Sequence, residues 1–210
     1  MPSRNILVLS SLVLVTAFVT VLIAFSGFKL FTNKQVPTEL LAVLKVAPTP
    51  LQPFSLIDQN NKPFTLKQLL NKNTLLFFGY TTCPDICPTT LTTLNQIYKQ
   101  LKGTASYTNL NIVFVSVDPQ RDTTDKLQEY MKYFNKDFLG VTGSKDNIDP
   151  FIKQFNAAYI IEEKSSNENY QVSHTSSIFL VNPQANIIAS FSPPHNSKII
   201  VSQLGMISER

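Results

Sequence analysis

The sequence predicts an α/β domain, a central sheet flanked by helices, behind an N-terminal transmembrane helix. Three observations carry that expectation. Asn5 to Phe28 is an uncharged, mostly apolar run. Two later apolar runs of strand length, "TLLFFGY" (74–80) and "NIVFVSV" (111–117), lack the alternation of a half-exposed strand, as expected of central strands buried on both faces. Between and after them lie segments with apolar residues at helical spacing.

At about 1.5 Å per residue the Asn5–Phe28 run can cross a hydrocarbon core of roughly 30 Å. It shows no polar face, as a helix packed on a soluble core would. A cleaved signal peptide has a shorter apolar stretch and a small-x-small site, which "AFSG" matches poorly, so an uncleaved anchor over residues 1–34 is expected. Arg4 lies on one side, Lys29 and Lys34 on the other, so charge barely orients it. The short N-terminus makes N-in the default, with the C-terminal part outside the cytoplasm. No Arg- and Ser-rich transit peptide precedes the anchor, which favours a bacterial inner membrane and a periplasmic face. Residues 35–53 carry Pro37, Pro48, Pro50 and Pro53 and read as a tether that cannot be one helix.

The domain is expected over 54–210. "FSLIDQNNKPFTL" reads as two short strands around Asn60-Asn61. After the strand at 74–80, a helix from Pro88 to Leu101 is marked by Leu91, Leu94, Ile97, Tyr98 and Leu101 and stopped by Gly103. The strand at 111–117 is followed by a helix from Asp122 to Phe134, with Asp122, Thr123 and Asp125 suited to its N-terminus. "FLGVTG" is a short strand and Ser144–Phe155 a helix. "SSIFLVN" and "NIIASF" form a hairpin around "PQA", and a last helix spans about 196–208. This order is that of a thioredoxin-like sheet with insertions.

The net charge of +4 does not argue for nucleic acid. Setting aside Arg4, Lys29 and Lys34 leaves 15 basic against 14 acidic residues from Gln35 onward, with no basic stripe.

Both cysteines of the chain, Cys83 and Cys87, fall in "FFGYTTCPDICPTT", between the first central strand and its helix. That loop lies at the carboxyl edge of the sheet, where active sites gather. A nearby helix N-terminus favours thiolate, the form that attacks disulfides and binds metals. Pro88 disfavours a helical Cys87, so Cys83–Cys87 is expected to form its own turn, with the helix starting near Pro88. Three readings are open: a structural disulfide, a redox couple or a metal clamp. A domain this size hardly needs a disulfide, and a five-residue loop would constrain the unfolded chain little. A peroxiredoxin pattern would need proline at Leu76 and threonine at Tyr80. A four-cysteine zinc site is impossible with two.

A third ligand would come from the two histidines. His195, in "SPPHN", reads as a surface turn. His174, in "YQVSHTSSIFLVNP", stands just before a buried strand, where a thioredoxin keeps a cis-proline facing its cysteines; no proline lies between Tyr170 and Val181. Two thiolates and one imidazole make a compact soft site suited to Cu(I) and Cu(II), and zinc also fits the ligand types.

"FFGYTTCPDICP", "VFVSVDPQRDT", "FLGVTGS" and "YQVSHTSSIFLVNP", in that order behind an anchor, resemble the SCO/SenC family across nearly all of 54–208. The resemblance implies a domain that binds one copper and serves assembly of the binuclear copper centre of cytochrome c oxidase, with Cys83, Cys87 and His174 as ligands. Partners would be the copper-bearing oxidase subunit, a copper donor protein and the membrane. Asp85, Asp118, Arg121 and Asp122 also match family positions, and Asp85, Asp118 and Arg121 could support the ligands; Asp118 serves equally well as a plain turn residue. Serine precedes His174 where the family often has aspartate. The alternative is a thiol-disulfide reductase that uses Cys83 and Cys87 alone to keep the acceptor's cysteines reduced.

Overall fold

Strands β4 (Asn73–Gly79) and β5 (Leu110–Ser116) run parallel in full register, from Asn73 opposite Leu110 to Gly79 opposite Ser116. Leu75, Leu76, Phe77 and Phe78 are wholly buried, which is why this stretch is apolar without alternation. The structure, a computed structural model, describes residues 15–22, 36–162 and 170–209. Most of the anchor expected over Asn5–Phe28 lies outside these residues; 15–22 are helical, and no helix among the described residues is long and apolar enough to cross a membrane.

From Thr38 onward the chain forms one unit. Its remaining strands are β1 (Leu44–Pro50), β2 (Leu56–Asp58), β3 (Pro63–Phe64), β6 (Leu139–Thr142), β7 (Tyr159–Ile161), β8 (Val172–His174), β9 (Ile178–Val181) and β10 (Asn186–Phe191). Its longer helices are α1 (Ile86–Leu101), α2 (Thr124–Phe134), α3 (Lys145–Lys153) and α4 (Ser197–Ser208). Eight strands make one mixed sheet in the order β1-β10-β9-β4-β5-β6-β2-β3, and β7 pairs with β8 separately. This is the expected α/β, thioredoxin-like arrangement.

Two expectations need correction, and one strand pair is new. The segment read as a tether contains β1, which pairs antiparallel with β10 at the sheet edge. Thr38–Leu41 forms one helical turn, and beyond it the edge strand has one unpaired side and can spare the missing donors of Pro48 and Pro50. The β7–β8 pair was not anticipated, because three-residue strands carry too little pattern. Helix α1 starts at Ile86, two residues before Pro88. Pro88 is its third residue, whose N–H would have no partner inside the helix, and the first helical bond runs from Thr89 N–H to the Asp85 carbonyl at 3.1 Å.

Packing explains where the cysteines sit. Helix α1 buries Cys87, Leu91, Leu94, Ile97 and Leu101 against the sheet. A Cβ at Gly79, the last residue of β4, would stand 2.6 Å from the Cys87 sulfur and 2.7 Å from the Phe114 ring. Glycine here lets the start of the helix close onto the strand end.

Candidate metal centre

The loop after β4 is tied down by Asp122. Its carboxylate accepts the Thr81 backbone N–H at 2.8 Å, the Thr81 hydroxyl at 2.5 Å and the Ser116 hydroxyl at 2.6 Å, with Lys126 Nζ 3.6 Å away. Asp122 therefore does not start a helix, as the sequence suggested. Thr123 is the N-cap of α2, accepting from Lys126 N–H, and Asp122 is buried as the anchor of the loop carrying Cys83. From Tyr80, whose carbonyl accepts the Cys83 N–H at 3.2 Å, the chain turns into α1.

Cys83, Cys87 and His174 offer three ligand atoms that all lie within 4.8 Å of one another. Both cysteines are free thiols and buried, Cys87 completely. His174 closes strand β8. Its Nδ1 lies 3.2 Å from the Thr175 carbonyl, which can only accept, so Nδ1 carries the proton. That leaves the Nε2 lone pair facing the sulfurs, 3.5 Å from Cys87 Sγ. Phe77 and Tyr80 meet the imidazole edge-on, at 5.9 and 6.0 Å between ring centres. The cis peptide bond among the described residues joins Pro193 to Pro194; the position before β9 belongs to His174. Cys83 and His174 border an open cleft of about 340 Å³ lined also by Tyr80, Asp85, Ile86 and Val172, with Cys87 buried behind them.

The two thiols are not equivalent. Cys83 is lowered to about 4, chiefly because the Cys87 thiol donates to it; the backbone N–H groups of Cys87 and Asp85 act in the same direction, while burial opposes. Cys87 is pushed well above the ordinary thiol range by holding that proton for Cys83, by burial and by the adjacent negative charge. The pair thus shares one proton, with Cys83 the thiolate near the cleft. A metal entering the site must displace the Cys87 proton.

A pH prediction follows. In reduced protein, Cys83 is expected to react with iodoacetamide at an almost constant rate from pH 8 down to roughly pH 5, falling only near pH 4, whereas an ordinary thiol slows from about pH 8.5. Because the folded-state value is depressed, the thiolate's contribution to stability is complete above the unfolded pKa. It diminishes as pH falls toward 4. A rate that drops tenfold per unit from pH 8 would show that Cys83 is an ordinary thiol.

The possible supporting residues occupy different settings. Asp85 is exposed at the start of α1, its carboxylate accepting the Thr89 hydroxyl at 3.3 Å. Asp118 is buried, and both oxygens are engaged, one by Arg121 Nε and the other by the Tyr170 hydroxyl at 2.6 Å. It stands apart from the three-atom cluster. Tyr170 and Tyr80 went unnoticed in the sequence; the signal was the aromatic four residues before His174. His195 is half-buried rather than a plain surface residue. Its Nε2–H donates to the Phe191 carbonyl, Nδ1 accepts from the Thr90 hydroxyl, and burial lowers its pKa.

Comparison with known proteins agrees with this geometry. The family model for SCO1/SenC matches residues 45–209. Protein SCO1 homolog 1, mitochondrial, of Arabidopsis thaliana is 35% identical over 144 residues, covering 69% of this chain and 42% of the relative, so the chain spans less than half of that protein. Among solved structures, copper-bound Arabidopsis thaliana ScoI superposes with a TM-score of 0.70 and 32% identity, over 76% of this chain and 98% of that one. BsSco, described as having a disulfide switch and as a member of the Sco family of cytochrome c oxidase assembly proteins, gives 0.61 and 26%, over 79% and 97%. The chain belongs to the SCO1/SenC family.

Proposed function

We propose that the protein is a membrane-anchored copper metallochaperone that delivers its cargo to the binuclear copper centre of cytochrome c oxidase. One observation carries the reading: two sulfurs and an imidazole nitrogen converge within 4.8 Å beside an open cleft. Soft thiolates suit Cu(I) and imidazole extends the site to Cu(II), so one ion could be held in either state. Cys83 contributes a ready thiolate, Cys87 a second once its proton leaves, and His174 Nε2 a lone pair already aimed at the sulfurs. The copper-bound relative and the oxidase-assembly description of BsSco support the assignment. The apolar Asn5–Phe28 run supports the anchor, and the N-in orientation with the domain in the periplasm is part of the proposal.

A second reading rests on the unequal thiols. As a reductase, the Cys83 thiolate attacks an acceptor disulfide and releases one acceptor thiolate. Deprotonated Cys87 then attacks the Cys83 sulfur, releasing the second and leaving a Cys83–Cys87 disulfide. The pair supplies both electrons. The disulfide switch described for BsSco favours keeping this activity in view.

The test is made in cells lacking this chain. Their oxidase is expected to contain no binuclear copper, wild-type expression to restore it, and protease added to spheroplasts to degrade the domain. Normal oxidase copper without the chain would overturn the delivery role, and a protease-resistant domain the topology.

A further inference from the structure

Strand β8 brings His174 to the thiols but belongs to a two-stranded sheet separate from the one that carries the cysteines. Its pairing with β7 places His174 opposite Tyr159 and Ser173 opposite Ile160. The flanking bonds, Glu162 N–H to the Gln171 carbonyl and Thr175 N–H to the Ala158 carbonyl, show that odd-numbered residues turn their backbone groups toward β7. Residues 170, 172 and 174 therefore turn theirs the other way. Two side chains from the main sheet's loops meet that edge. Arg121 Nη1 donates to the Tyr170 carbonyl at 2.8 Å, and the Tyr80 hydroxyl faces the Val172 N–H.

Arg121 does more than make one bond. Its guanidinium carbon lies 3.6 Å from the centre of the Tyr170 ring and 5.5 Å from that of Tyr80. Its Nε is paired with buried Asp118, whose other oxygen accepts the Tyr170 hydroxyl. The Arg121 side chain is 16% exposed, and its Nη2 is buried without a hydrogen-bond partner among the described residues.

We infer that Arg121 and Tyr170, braced by Asp118, form a latch that positions His174: they clamp strand β8 four residues upstream and so fix the imidazole against Cys83 and Cys87. They are positioning residues and touch none of the three ligand atoms. Lysine could keep the charge but not the flat stacking and the two-pronged bonding, so the position calls for arginine. The inference rests on the copper-binding reading above.

The experiment uses full-length purified protein and Cu(II) salt as the probe. Arg121→Met is expected to weaken Cu(II) binding by at least about tenfold, the scale on which outer supports of a metal ligand act. It should also remove the nitrogen hyperfine splitting from the copper electron paramagnetic resonance spectrum, while Cu(I) affinity changes by less than about threefold. Adding His174→Ala to Arg121→Met should cost no more Cu(I) affinity, the affinity that survives loss of the imidazole, than His174→Ala alone, since both act through one imidazole. Tyr170→Phe, which removes only the hydroxyl, is a milder variant that keeps the stack and should shift Cu(II) affinity in the same direction. Unchanged Cu(II) affinity and splitting in both variants, or additive losses in the double variant, would overturn the latch. A wild-type protein lacking nitrogen splitting would instead overturn the copper site itself.

Discussion

His174→Ala is expected to abolish stable Cu(II) binding while leaving Cys83 and Cys87 reversibly oxidisable. The imidazole supplies the one nitrogen in the three-atom cluster, and no further His, Cys, Asp or Glu joins that cluster among the described residues. Losing a support behind a ligand already costs about 10–100-fold in metal affinity, so losing the ligand should exceed about 100-fold. Cu(I) should be retained less tightly by the two thiolates. Titration followed by absorbance, with thiols counted through one redox cycle, checks both halves. The same variant separates the two functional readings. Full oxidase activity despite lost Cu(II) binding would favour the reductase, because disulfide exchange depends on thiolate character and access. Unchanged Cu(II) affinity would show that His174 is not a ligand.

Asp122→Ala is expected to have the largest effect on stability. The carboxylate has no exposed surface and accepts three hydrogen bonds, two of them from Thr81. Alanine would leave the buried Ser116 hydroxyl and the half-buried Thr81 N–H and hydroxyl without their acceptor, each costing up to about 1–3 kcal/mol if it finds no water. Breaking a buried charged network of this kind costs about 3–5 kcal/mol, or on the order of 10 °C in Tm for a domain this size. The loop bearing Cys83 would lose its anchor, so thiol reactivity should change as well. A Tm within about 2 °C of wild type would show that water or rearrangement satisfies these groups.

These two residues illustrate what the sequence discloses and what it hides. Cys83, Cys87 and His174 were legible because each is scarce and chemically distinctive, and because the cysteine loop and the strand before "IFLVN" could each be placed on the sheet. The central strands were legible because burial on both faces leaves an unmistakable apolar run. Asp122 was misread for a physical reason: an aspartate before a helix suits an N-cap equally well, and its real partners, Thr81 and Ser116, are brought in by tertiary structure. The same holds for Asp118, whose Tyr170 partner lies 52 residues away. Strand β1 was hidden by its prolines, which rule out a helix but are tolerated at a sheet edge.

The central claim is that Cys83, Cys87 and His174 together hold one copper ion. Copper-edge X-ray absorption on the loaded, full-length protein tests it most directly. Near-equimolar copper is expected, with an inner shell of two sulfurs and one imidazole nitrogen. A shell without sulfur, one without imidazole, or copper displaced by stoichiometric zinc would contradict it.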